Sequence, residues 1–302
     1  MTQGAYTTKA PVWFIAHGGP PTLFEVNSAP HQHWLKIGKD LQSAKLRGIV
    51  FVSAHWQVED EDIISEAREA ATSSKLVFIN INENNPLVYD FYGFPKHYYK
   101  TQWRSKNPKE LQEAVSSHLK SQGYLVKGRD RGPDHGVWVP LRASGEDFDI
   151  PLIQVSLPVD KTPLEDGIAA LRLGRALRGL RDKGYAIIGG GQPVHNLRDY
   201  MRARQGMALE RESYGRTFAA ALTEALRRPG NDQQTQDGDP TRWNAAKALF
   251  EREDYLNAHP TSEHLLPAMV ALGAAEESEP GVEEFSESNA SSPLMWNMYR
   301  FG

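Results

Sequence analysis

The sequence predicts an α/β fold, a three-layer sandwich in which helices cover both faces of a central mixed, mostly parallel sheet. Three observations predict it. Apolar runs of six to nine residues recur along the chain between turn residues. These runs are apolar at consecutive rather than alternate positions, the pattern of strands buried on both faces. Between them lie segments with apolar residues at three- and four-residue spacing, the period of helices packed on a sheet.

In chain order, PVWFIA (11–16), GIVFVSA (48–54), KLVFINI (75–81), DIPLIQVSL (149–157) and YAIIGG (185–190) read as strands. YLVKGR (124–129) is a more polar strand. Helices are expected over 30–43, 108–123, 163–184 and 208–228, the third stopping at Gly184. The segment 228–243, RPGNDQQTQDGDPTRW, reads as a polar surface insertion, and 276–293 as an acidic, irregular stretch. The closing PLMWNMYRFG carries large apolar side chains that are costly to leave in water, so it is expected to pack back on the core. With no repeat and no boundary, residues 1–302 are expected to form one domain.

Lys and Arg number 34 against 38 Asp and Glu, a formal charge of −4 that speaks against a nucleic-acid partner. The basic run RLGRALRGLRDK (172–183) reads as the solvated face of a helix. The absence of cysteine excludes disulfides, thiolate ligands and a cysteine nucleophile, so any metal must be held by His, Asp or Glu. No stretch approaches the roughly 20 apolar residues of a membrane span, and the N-terminus lacks signal-peptide character. A soluble, cytoplasmic protein is expected.

The ten histidines are not scattered. VWFIA runs into His17, GIVFVSA into His55, and YAIIGG into a turn that carries His195. Ligands of open α/β sheets bind outside the carboxyl ends of the strands. Three imidazoles meeting there would make a metal site suited to Zn or Fe. His135 is expected in a loop ahead of an apolar segment, with Asp134 beside it as a candidate to orient an imidazole. His264 stands near the start of a helix that Thr261 or Ser262 could cap, with Pro267 in its first turn. Glu263, adjacent, is the alternative ligand. His31, His33, His97, His118 and His259 read as structural. The aromatic loop YDFYGFP (89–95) suits either plain core or the wall of a pocket for a flat ring.

Taken together, HGGPPTLFE (17–25), SAHW (53–56), YDFYGFP (89–95), DHGVWVPL (134–141), GGGQPVHNLRDY (189–200) and EHLLPAMVALGAA (263–275) resemble the signature segments of the class III extradiol ring-cleavage dioxygenases. They follow that family's order and are most similar to its DOPA 4,5-dioxygenase-like branch. The resemblance implies an α/β sandwich around a mixed sheet and a non-haem Fe(II) centre. It implies O₂-dependent opening of a catechol to a semialdehyde. His17, His55 and His264 match the metal ligands, the last where protocatechuate enzymes use a glutamate. His195 matches an acid/base residue and His135 a second pocket histidine that contacts substrate. Trp56, Tyr92 and Phe94 fall in the same segments as expected substrate-lining side chains. Arg131 and Arg198 are candidates to hold a substrate carboxylate. The insertion at 228–243 departs from the compact members of the family.

Two other readings compete. A Zn(II)-dependent hydrolase would be served equally well by three histidines, but no HExxH arrangement supplies its glutamate base. Zn(II) could also displace iron from a dioxygenase site. A non-catalytic small-molecule or peptide-binding homologue would be expected to have lost site histidines, and here all are present. The sequence leaves open which catechol is used, where it is cut, and the oligomeric state.

Overall fold

A computed structural model describes residues 9–59, 73–145, 148–209, 214–230, 233–236, 238–287 and 293–302. Its main sheet contains β1 (Val12–Ala16), β2 (Gly48–Gln57), β3 (Leu76–Asn80), β4 (Leu125–Arg129), β5 (Leu152–Leu157), β6 (Tyr185–Gly191), β8 (Val282–Phe285) and β10 (Met298–Phe301). The strand order is β4-β3-β5-β2-β6-β1-β10-β8. Four of the seven neighbouring pairs run parallel, and β3–β5, β1–β10 and β10–β8 run antiparallel. The short strands β7 (Val194–His195) and β9 (Leu294–Met295) pair separately.

The consecutive apolar residues of the central strands feed two cores. Val12, Phe14, Val50, Val52 and Ile187 point to one face, where the helices Pro163–Leu177 and Leu266–Ala274 pack. Trp13, Ile15, Ile49, Phe51, Ala186 and Ile188 point to the other, under Ala29–Ser43 and His135–Ala143. Alternate side chains thus serve opposite layers. Each fully buried large apolar side chain contributes about 1.5–3 kcal/mol. The α/β sandwich expected from the sequence is the one observed.

Several local expectations are corrected. The C-terminal tail does more than pack on the core: β10 enters the sheet between β1 and β8, with Phe301 opposite Val12. The segment after Asp134 is a helix from His135 to Ala143 rather than a loop. The expected helix 163–184 is α-helical to Leu177 and tightens to a 3₁₀ turn over Arg178–Lys183, ending at Gly184 in the left-handed region at φ 84°. The basic run is not a solvated face throughout. Arg181 is fully buried and bonds both oxygens of Glu279, while Arg178 pairs with Glu276 and Glu277. Within the polar insertion, Asp239 is only 1% exposed and is held by Arg172 and Lys247, so this part is pinned to the core. The helix expected over 208–228 is described as Tyr214–Arg227, with residues 210–213 outside the described set. No helix among the described residues is long and apolar enough to cross a membrane.

Candidate active site

Sheet order brings the histidine-bearing ends together. β6 lies between β1 and β2 and runs parallel to both, so their carboxyl ends adjoin. His17 follows β1, His55 lies near the end of β2, and His195 is in β7 just beyond β6. His264 sits in the turn before the helix Leu266–Ala274. The backbone ties these positions: His17 N–H donates to Gly191 O (3.1 Å) and Gln192 N–H to His264 O (2.9 Å). The glycines of β6 permit it. A Cβ on Gly191 would lie 2.3 Å from His264 O, and one on Gly189 2.2 Å from Pro267 O.

The imidazoles of His17, His55 and His264 face one another, with ring centroids 4.8 Å, 5.3 Å and 5.0 Å apart. One ligand atom from each falls within 4.8 Å of the others. Nδ1 of His17 bonds Gly18 O at 2.6 Å and Nδ1 of His264 bonds Glu263 Oε1 at 3.0 Å, while Asp90 Oδ2 lies 3.3 Å from Nδ1 of His55 as a charged neighbour rather than a formed hydrogen bond. A proton held at Nδ1 leaves the lone pair at Nε2. All three Nε2 atoms are buried with no hydrogen-bond partner. Nitrogen donors orphaned in this way fit a divalent transition metal.

Electrostatics favours neutral rings there. Burial, then the charges of His55 and His135, pushes the His17 pKa well below the usual histidine value. Burial, then neighbouring imidazoles, does the same to His55 and His264. His195 stacks flat on His264, centroids 3.4 Å apart and planes 8° apart. Burial, reinforced by His135, lowers its pKa to about 4.

His135 opens its helix 4.0 Å from the His55 ring, centroid to centroid. A Cβ on Gly136 would lie 2.5 Å from Ser53 Oγ and 3.0 Å from the His55 ring, so this approach needs a glycine. Sequence reasoning missed Asp90, which takes the orienting role expected of Asp134. Its Oδ1 accepts from His135 Nδ1 (2.9 Å) and from the His135 backbone N–H (3.0 Å), and its Oδ2 faces His55. Burial works to raise this carboxyl, but hydrogen bonding from His135 and the charges of both imidazoles hold it at about 2. Asp134 instead accepts from Ser53 Oγ (2.7 Å) and Gln154, and pairs with Arg131 at 3.4 Å. The signal for Asp90 was its place as the one carboxylate of YDFYGFP.

Thr261 and Ser262 do not cap the helix: their hydroxyls donate to Glu263 and Asp166. Pro267 does fall in its first turn. Glu263 stands behind His264, bonded to its Nδ1. The five other histidines make contacts of ordinary structure, such as His118 with Ala176 O (2.8 Å) and His259 with Pro193 O (3.0 Å).

The expected substrate-lining residues are not all brought together. Trp56 packs on Phe78 under the Arg131 guanidinium, in a separate apolar cluster. Tyr92 is 92% exposed at the tip of the aromatic loop. Phe94 packs on Phe91, and it is Phe91 that sets its edge against His135, 5.7 Å between centroids. Arg131 is engaged by Asp134 and Trp56, and Arg198 lies exposed next to Asp199.

Comparison with known proteins bears on the family and the fold. A family profile described as the catalytic LigB subunit of aromatic ring-opening dioxygenase matches residues 7–301. The chain is 29% identical over 268 residues to a 4,5-DOPA dioxygenase extradiol of Beta vulgaris, covering 88% of this chain and 87% of that one. It is 27% identical over 274 residues to a 4,5-DOPA dioxygenase extradiol of Escherichia coli K12, covering 91% and 88%. A solved structure of an uncharacterized Escherichia coli K12 protein superposes with a TM-score of 0.71 at 23% identity, over 97% of this chain and all of that one, and shares the fold.

Proposed function

The chain belongs to the LigB family of aromatic ring-opening dioxygenases, and from that premise we propose that it is an extradiol dioxygenase that opens a catecholic ring with O₂. The observation that carries the reading is the convergence of three buried, unpartnered Nε2 atoms on His17, His55 and His264. These residues would hold Fe(II). When bound, Fe(II) supplies open positions for a catechol and O₂ and lowers the phenolic pKa of the substrate. Zn(II) would compete for the same donors in purified protein.

The remaining roles fall to side chains of the chain itself. His195, neutral at pH 7 with its pKa near 4, accepts a phenolic proton of the substrate and returns it as the ring opens. No hydrogen bond holds its ring nitrogens among the described residues, so it can carry out both transfers. His135, with Nδ1 engaged by Asp90, presents Nε2 to a substrate oxygen. Phe91 and Phe94 wall one side of the ring, and Tyr92 at the loop tip reaches substituents beyond it. Substituted catechols such as DOPA, as named for the relatives, are the substrate class to test first.

The test is anaerobic reconstitution with Fe(II), addition of DOPA, caffeate or protocatechuate, and admission of air. The expected result is one O₂ consumed per catechol with a yellow semialdehyde chromophore, both lost in His195→Ala. Iron-loaded protein that consumes no O₂ with any substituted catechol would overturn the reading.

A further inference from the structure

Asp90 is a carboxylate that reaches both a metal-site imidazole and the second pocket imidazole. Oδ1 accepts two N–H bonds from His135, at 2.9 Å and 3.0 Å, and Oδ2 lies 3.3 Å from His55 Nδ1. The hydrogen bond holds the His135 proton at Nδ1, and the carboxylate oxygen beside His55 Nδ1 favours the same tautomer there, so both rings present Nε2 to the site. Asp90 belongs to the aromatic loop, and that loop docks on the helix that begins at His135. Val88 N–H donates to Pro133 O (2.9 Å), Trp138 Nε1–H donates to Val88 O (3.0 Å), and Phe91 packs on Trp138.

We propose that Asp90 is a positioning residue that sets the tautomer of His55 and His135 together, and with it the metal affinity of the site. The inference rests on the dioxygenase reading only for the names of the roles; the tautomer argument needs only a divalent metal at His17, His55 and His264. It leads to an order of variants that a packing role would not give. An Asn at position 90 has the shape of Asp but one acceptor and one donor. Its oxygen is drawn to the two N–H groups of His135, which leaves its N–H₂ group facing His55 Nδ1. His55 must then take its proton at Nε2, where the metal would bind. An Ala at position 90 removes the partner but imposes no wrong tautomer. Asp90→Asn should therefore weaken metal binding more than Asp90→Ala, although it is the closer mimic.

The experiment titrates Co(II) into metal-free wild type, Asp90→Asn, Asp90→Ala, Asp90→Glu and Phe91→Leu, following the d–d absorption. Imidazole ¹⁵N shifts are recorded on the metal-free proteins. Asp90→Asn is expected to lower Co(II) affinity by about 10–100-fold, with one imidazole moved to the Nε2–H form. Asp90→Ala should lose less, Asp90→Glu should recover part of the affinity, and Phe91→Leu should stay within about threefold of wild type. Co(II) affinity in Asp90→Asn equal to wild type, or a loss in Phe91→Leu as large as in Asp90→Asn, would overturn the proposal. So would Asn milder than Ala, the order of a purely structural contact. Because the readout is Co(II) and not turnover, a wild type that opens no catechol would sink the reaction assignment and leave this result standing.

Discussion

Two regions of the molecule gather ionisable side chains in its interior, and they are completed to different degrees. Around Arg181 the accounting closes within the chain: its guanidinium reaches Ala10 O (2.7 Å), Ala274 O (3.2 Å) and Glu279 (2.6 and 2.9 Å). Around His17, His55 and His264, each ring has an oxygen beside Nδ1 and no partner at Nε2. A buried polar atom left without a partner costs about 1–3 kcal/mol. Three such atoms aimed at one point make a site that the polypeptide alone does not complete. The Arg181 latch satisfies itself; the histidine cluster could hold a metal ion.

The largest expected effect breaks the latch. Arg181→Ala would remove the charge partner of the half-buried Glu279, which keeps the Glu276 N–H, and would orphan the carbonyls of Ala10 and Ala274, a loss of about 3 kcal/mol, read as a shift in the urea midpoint at unchanged slope. The histidine cluster should respond instead to ligand. Co(II) at 100 times its dissociation constant should raise the unfolding free energy of wild type by about 2.7 kcal/mol. His17→Ala should abolish that increment, while Glu279→Gln, in the other region, should keep it. An increment surviving in His17→Ala would erase the distinction between the two regions.

Acid should separate them as well. Buried histidines stay neutral in the folded protein, with His195 at about 4 and His259 at about 3, against an ordinary 6.5. Below 6.5 the unfolded chain binds more protons than the native one. The stability these residues contribute is whole above that value and drains away as the pH falls toward their folded pKa values. For Glu279, burial is outweighed by hydrogen bonding from Arg181, so its pKa lies below 4.5. Its contribution is whole above 4.5 and is lost only as the pH falls through the folded value. Metal-free protein should thus begin to soften near pH 6.5, and Glu279→Gln should flatten only the part below pH 4.5. Urea midpoints between pH 3 and 7.5 check this, and a flat profile from 6.5 to 5 would contradict it.

What the sequence made legible divides along the same line. The central strands were readable because burial on both faces leaves uninterrupted apolar runs, and His17 and His55 were readable because they follow such runs directly. Features set by distant partners were not. Arg181 looked solvent-facing because its carboxylate, Glu279, lies 98 residues further on. β10 takes its place beside β1 through pairing between the two ends of the chain, which no local pattern announces. Asp90 was hidden in a loop without periodicity, its imidazole partner His135 lying 45 residues away. The role first assigned to Asp134 failed because adjacent side chains diverge, and its carboxylate turned to Ser53 and Gln154.

The smallest expected effect lies at the rim of the histidine cluster. Tyr92 is 92% exposed, so Tyr92→Ala should change stability by no more than about 0.5 kcal/mol and leave Co(II) affinity untouched. If the aromatic loop flanks the substrate, the same variant should raise KM for a catechol with a long substituent more than for catechol itself, with kcat nearly unchanged. That is the signature of binding made equally in ground and transition states. An equal change for both substrates would take Tyr92 out of the substrate wall and leave that role to Phe91 and Phe94, the loop residues packed inward behind His135.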